Sequence, residues 1–184
     1  MNRKFALGIL SILAVITSVV FINTASAAKV GKNDSAAQVI STTIVISQAY
    51  GGGGGTTGTY MFDYVELKNI SNIPQSLNGL SLMYGSATGQ FGSTATNVFA
   101  LPAVTLNPGQ YYLVQLSTAG TGGTAFPVTP DATTTNLSMS GTNGKVALVT
   151  SAFTGNTCGA AATPCSTTQL AAIVDWVAYG AAGN

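Results

Sequence analysis

Nowhere after residue 27 does an apolar stripe recur at helical spacing for three turns, and this limits the fold more than any other feature. What recurs from Thr43 onward is a short run of β-branched, aliphatic and aromatic residues, closed off by Gly, Pro, Asn or Ser. Such side chains fit a pleated, half-buried surface, whereas Gly, Pro and Asn set the dihedrals of turns. The runs predict strands at 43–49, 62–68, 80–84, 98–101, 111–116, 145–150 and 173–179. Short strands with turn signals between them predict an all-β chain folded as an antiparallel sandwich.

Alternation along the strands assigns faces. In the second strand Val65 and Leu67 share a face and are placed in the core, opposite Tyr64, Glu66 and Lys68. In the fifth, Tyr112 and Val114 oppose Tyr111 and Leu113, all apolar enough to predict a central strand covered on both faces. In the last, Asp175 shares a face with Val177, which makes the solvation of its carboxylate a question.

The beginning of the chain reads as a helical export signal. Arg3 and Lys4 precede an apolar stretch from Leu7 to Ile22, and Ala25-Ser26-Ala27 fits the small-x-small cleavage pattern. Cleavage is expected between Ala27 and Ala28, in preference to an uncleaved membrane anchor. Residues 28–40, small and polar, read as a flexible leader, and 41–184 as the folded domain. Removing residues 1–27 from 184 leaves 157, enough for one domain with a proper apolar core.

That remainder has no histidine, and its charged residues are Lys29, Lys32, Lys68, Lys145, Asp34, Asp63, Glu66, Asp131 and Asp175. With four positive and five negative groups, it has no electrostatic footprint for nucleic acid or for anionic lipid after signal cleavage. Hydrolysis at neutral pH needs a group that exchanges a proton there, most often histidine. Serines are plentiful, but nothing activates them, and neither Gly-x-Ser-x-Gly nor Ser-x-x-Lys occurs. No catalytic residue, metal ligand or cofactor is predicted.

Cys158 and Cys165 bracket Gly-Ala-Ala-Ala-Thr-Pro. In an oxidising compartment such a pair closes as a disulfide, worth about 2.5 kcal/mol on the chain-entropy account. Zinc would need ligands that the sequence lacks, and a redox pair normally has tighter Cys-x-x-Cys spacing.

Two glycine-rich stretches interrupt the strand pattern, Gly51–Gly55 and 119–124. No Gly-Lys-Ser/Thr and no helix follow the first, so it is read as a connection in flexible or left-handed backbone rather than a phosphate cradle. The polar segment 117–141 is long enough to serve as a binding loop.

Several segments together resemble a bacterial lamin tail domain. Ile44-Val-Ile-Ser-Gln-Ala-Tyr-Gly-Gly-Gly is similar to the family's first strand and glycine loop. Asp63-Tyr-Val-Glu-Leu-Lys-Asn69 resembles its Asp-aromatic-aliphatic-Glu-Leu-x-Asn strand, and Leu77-Asn-Gly-Leu-Ser-Leu82 its Leu-x-Gly-Trp-Ser-aliphatic turn, with Leu80 in place of the tryptophan. Leu106-Asn-Pro-Gly-Gln-Tyr-Tyr-Leu-Val114, Gly144-Lys-Val-Ala-Leu-Val149 and Val174-Asp-Trp-Val-Ala-Tyr-Gly180 complete a match over about residues 41–180. Pro108-Gly109 suits a turn with a preset and then a positive dihedral, and Gly79 and Gly144 are expected to do similar work. The family pattern usually continues past its Tyr-Gly to a closing strand, so a truncated end or an unpaired last edge is expected.

The resemblance implies an immunoglobulin-like sandwich and a non-catalytic module that attaches or organises. In lamins such modules bind partners; elsewhere they accompany secreted hydrolases. The primary reading is therefore a secreted or surface-attached binding module, with the periplasm as a third destination and an extracellular protein or polysaccharide as partner. The alternative is the tethering domain of a truncated extracellular nuclease or phosphatase.

Individual residues add little chemistry. Asp63 and Glu66, three apart on a strand, project to opposite faces and cannot clamp one metal; Asp63 is read as capping a sheet end, Glu66 as pairing with charges in water. Asp131 and Asp175 offer calcium two ligands without a calcium-loop spacing. Lys68 and Lys145 are read as solvated. Trp176 and Tyr50, Tyr60, Tyr64, Tyr84, Tyr111 and Tyr112 would suit a sugar-stacking platform, although most should be core or rim. The predicted contact surfaces are loop 51–58, segment 117–141 and any unpaired edge strand.

Overall fold

The computed structural model describes residues 41–154 and 158–182, all within one compact unit. The export signal, the Ala27–Ala28 junction and the 28–40 leader lie outside the described residues. The strands are β1 (Ile44–Tyr50), β2 (Asp63–Asn69), β3 (Gln75–Ser76), β4 (Leu80–Ser86), β5 (Val98–Ala100), β6 (Thr105–Leu106), β7 (Tyr111–Leu116), β8 (Ala132–Thr133), β9 (Gly144–Thr150) and β10 (Ile173–Tyr179). A single helical turn, α1 (Thr167–Ala171), precedes the last strand.

Two four-stranded sheets form, in the orders β1-β2-β7-β8 and β10-β9-β4-β5, and β3 pairs with β6 in a separate ribbon. We call the first two sheet I and sheet II. Every predicted strand is present, within two residues at its ends, and the all-β sandwich stands. One pairing departs from the antiparallel expectation: β7 and β8 run parallel, Val114 opposite Ala132. Segment 117–131 supplies the long crossover that a parallel neighbour needs.

Between the sheets lies the main core. Sheet I contributes Ile44, Val65, Leu67, Tyr112, Val114 and Leu116, and sheet II contributes Leu82, Tyr84, Val146 and Leu148. Val65 and Leu67 are fully buried, as alternation predicted. The fifth predicted strand corrects the sequence reading. β7 is central in its sheet, yet Tyr111 is 49% exposed and Leu113 half-buried, so only the Tyr112–Val114–Leu116 face is covered.

Both long edges of the sandwich are fastened by side chains. On one, β1 and β10 each carry a bulge, between Ile46 and Gln48 and between Ile173 and Asp175. Asp175 Oδ2 accepts the Ile46 amide at 2.7 Å, so its solvation question is answered by a bond between the two sheets. β10 does lie at the edge of its sheet, but bulges and a carboxylate blunt it. On the other edge Asn136 Nδ2 donates to the Val98 carbonyl at 2.8 Å, and Leu137 N to that of Thr96.

The turn glycines divide into two kinds. Gly79 and Gly109 adopt φ of +77° and +76° with open space around them, as the turns Leu77–Leu80 and Asn107–Gln110 require. Gly144 is different and corrects the expectation. Its φ is not positive; a Cβ there would collide with the Tyr179 and Tyr84 rings, so glycine serves close packing.

Lys145 is a further correction. Its Cα lies on the outer side of sheet II, but the segment after β4 folds over it and leaves it 1% exposed. Its Nζ donates to the Ala87 carbonyl at 3.2 Å and lies 5.8 Å from the Phe91 ring centroid. Burial holds its ammonium below the usual lysine range.

Candidate functional site

The two glycine stretches read separately in the sequence form one structure. Gly54 and Gly120 approach so closely that a Cβ on either would strike the other's backbone, and a Cβ on Gly122 would strike the Gly55 carbonyl. Backbone bonds stitch the pair together: Gly122 N to Gly54 O at 3.2 Å, Gly120 N to Met61 O at 2.9 Å, and Met61 N to Thr124 O at 2.9 Å. Glycine is needed for contact between loops as well as for the positive φ of Gly54 and Gly123. The predicted contact surfaces 51–58 and 117–141 are therefore continuous.

This joint carries Phe126 onto the outer face of sheet I. Tyr50 and Tyr64, cross-strand partners on β1 and β2, stack with centroids 5.3 Å apart and planes 19° apart. Tyr60 meets both at 5.8 and 6.0 Å, edge-on. Phe126 closes the group at 5.1 Å from Tyr60, 5.6 Å from Tyr64 and 6.0 Å from Phe62. All five rings are half-buried. Tyr50 Oη accepts the Thr59 amide, and Tyr64 Oη donates to Gln48 Oε1 at 2.9 Å. Burial, and then the charges of neighbouring Tyr60, Glu66 and Tyr50, raise the Tyr64 phenol above its ordinary range.

Of the aromatic residues singled out in the sequence, only Tyr50, Tyr60 and Tyr64 converge here. Tyr84 and Tyr112 are core, Trp176 packs on Phe91 against sheet II, and Tyr111 lies further along sheet I beneath the Lys68 ammonium at 4.6 Å. Lys68 thus has an aromatic partner rather than solvent alone. Sequence reasoning missed Phe62 and Phe126. The available signal was that Phe126 is the single aromatic residue within polar segment 117–141.

The carboxylates are held apart, each by its own partners. Asp63 is 3% exposed; its Oδ1 accepts Gly53 N at 2.9 Å and its Oδ2 accepts Met139 N at 2.8 Å. It does cap a sheet end, and in doing so pins the glycine loop to the segment before β9. Burial raises its pKa above the ordinary 3.8, against the bonds from Met139, Gly53 and Ser117 that pull it down. Asp175 is raised by burial too, against the Ile46 and Trp176 amides. Asp131 Oδ2 accepts Leu113 N at 2.7 Å and so anchors β8 beside β7. Glu66 Oε1 accepts from Ser47 Oγ at 2.6 Å, where the sequence reading expected a charged partner. Among the described residues, no three His, Cys, Asp or Glu side chains gather as a metal site.

Near Asp63, Tyr179 Oη donates to Ser140 O at 2.6 Å while Tyr84 Oη accepts Ser140 N at 3.0 Å. Desolvation holds the Tyr179 phenol well above its usual range. Both hydroxyls of this network thus bond the Ser140 backbone.

Cys158 and Cys165 form the predicted disulfide, with Cα atoms 4.6 Å apart. Sequence comparison agrees with this architecture. No curated protein matches the chain significantly. The Lamin Tail Domain family matches residues 38–181, from just before β1 to just past β10, and with that span of the chain accounted for, this protein belongs to the lamin tail domain family, an immunoglobulin-like domain family.

Proposed function

We propose that this chain is an exported, non-catalytic module that attaches to a cell surface or to extracellular material. One observation carries the reading: Asp63, Glu66, Asp131 and Asp175 each bond a different amide or hydroxyl, and those bonds hold loops and edges of the sandwich. A catalytic acid or base must face a substrate at hydrogen-bond distance, and a structural acceptor already occupied by amides is poorly suited to that task. The apolar segment 7–22 and the Ala25-Ser26-Ala27 site support export. The composite loop surface supports attachment, because loops on a rigid sandwich are where such modules present contacts.

The test is retention of the purified full chain on whole cells and cell-wall fractions of its host, with fractionation of cultures to locate it. Retention on a surface fraction is expected. Uniform absence of retention would end the attachment reading. Hydrolysis of a nuclease or phosphatase substrate, abolished by Asp63→Ala or Asp175→Ala, would replace it with catalysis.

A further inference from the structure

The outer faces of the two sheets are not equivalent. On sheet II, Met83, Ala147 and Val149 lie beneath Phe91, Phe153, Cys158 and Ile173 in a second buried cluster. On sheet I, among the described residues, no buried cluster covers the outer face, and the loop residues Tyr60 and Phe126 set their rings against Tyr50 and Tyr64. Cross-strand register arranges those positions in rows: Tyr50, Tyr64 and Gln115; Gln48, Glu66 and Leu113; Val45, Lys68 and Tyr111. From Tyr64 to Lys68 the face runs roughly 13 Å, enough for a short run of sugar rings.

We propose that this face binds an uncharged polysaccharide, with Tyr50, Tyr60, Tyr64 and Phe126 supplying the stacking surface. The inference rests on the attachment reading above and names its ligand class. A pyranose ring presents C–H groups on its faces and hydroxyls at its rim, so its site needs aromatic surface flanked by neutral donors and acceptors. Both are here. The rings fix one another through contacts of 5.1 to 6.0 Å, so little side-chain freedom is lost on binding. At their rim, the Nε2 of exposed Gln48, the Gln115 side-chain carboxamide and the Tyr60 hydroxyl have no hydrogen-bond partner among the described residues.

Charge argues for a neutral ligand. Glu66 bonds Ser47 and Lys68 lies over Tyr111, so neither charge on the face is unengaged. A protein partner is the less favoured occupant, since protein interfaces centre on large desolvated apolar anchors. Of the four most exposed large apolar side chains, Ile70, Ile73 and Tyr111 lie toward the opposite end of β2 from Tyr64, which leaves Val128, two residues past Phe126, as the single aliphatic anchor on this loop.

Affinity electrophoresis of the full chain tests this, in gels containing neutral β-glucan, α-glucan or galactomannan, with an acidic polysaccharide in parallel. Retardation by at least one neutral polymer is expected. Tyr64→Ala and Phe126→Ala should weaken it at least about tenfold, Gln48→Ala several-fold, and Ile73→Ala not at all. Thermal melting separates loss of binding from loss of fold, and exposed Gln48 provides a variant that keeps every ring and loses only the bond from Tyr64 Oη. Three results would overturn the proposal: no retardation by any neutral polymer, retardation that survives the ring variants in folded protein, or capture of a surface protein through these rings instead. If the chain still adheres to cells in any of these cases, only the ligand assignment falls. If it adheres to nothing, the attachment reading falls with it.

Discussion

Sheet II wears its aromatic residues under a lid, and sheet I wears them open. On sheet II, Phe91 and Trp176 meet edge-on at 6.2 Å, and the Phe91 amide bonds the Cys158 carbonyl at 2.8 Å. The disulfide and α1, begun by a capping box between Ser166 and Gln169, complete the cover. On sheet I, Tyr50, Tyr60, Tyr64 and Phe126 pack against one another and remain half-buried. A covered aromatic group contributes mainly to stability; an open one of the same size is available for contact. The same sandwich thus devotes one outer face to holding itself together and leaves the rings of the other open.

The largest test of that contrast is truncation on the covered side. Phe91→Ala removes a ring 3% exposed and should cost about 3–5 kcal/mol in urea unfolding. A loss as small as that of an open-face variant would break the comparison. Next is the staple: Cys158→Ala with Cys165→Ala should cost about 2.5 kcal/mol. Trp176, the only tryptophan, partly buried against the same cluster, should report the loosening by fluorescence. Polysaccharide retardation should be unchanged, since the rings lie on the other sheet.

A pH series examines the carboxylates that tie the two sides together. In the folded protein Asp63 and Asp175 bind protons more readily than their ordinary 3.8, so near that pH the folded state carries more protons than the unfolded chain. Their contribution is therefore fully present below 3.8 and lost as pH rises through their raised values. Melting temperature should carry a component that rises on acidification from neutral pH toward 4. Asp63→Asn with Asp175→Asn should flatten that component; an unchanged profile would show that these groups do not control it. The smallest expected stability effect is that of Phe126→Ala, about 1 kcal/mol for a half-buried ring. A cost comparable to Phe91→Ala would make the open face a second core and sharpen the contrast out of existence.

Most of the strand layout was readable because the residues alternate. Val65 and Leu67 sit where a period of two places them, and Asn107-Pro-Gly-Gln110 turns as its dihedral preferences demand. The two-residue strands β3, β6 and β8 were not readable, since two residues show no period. Lys145 was misread for a related reason. Its burial depends on a loop from before β5 crossing β9, about 58 positions away in sequence, and no local pattern encodes that crossing. The ring cluster was half legible. Three of its tyrosines were candidates by type, but their convergence requires the β1–β2 register, and Phe126 arrives from a segment between β7 and β8.

What the amino-acid order determined alone is the kind of fold, the turn geometry, the family and the pairing of two cysteines seven positions apart. Each depends on local stereochemistry or a short loop closure. What the tertiary structure decided is which polar and aromatic groups meet. Two glycine loops dock backbone to backbone, a buried lysine finds a carbonyl, and Asp175 reaches across to the amide of Ile46. Those encounters join residues far apart in sequence, and they form only when the two sheets close on a common core.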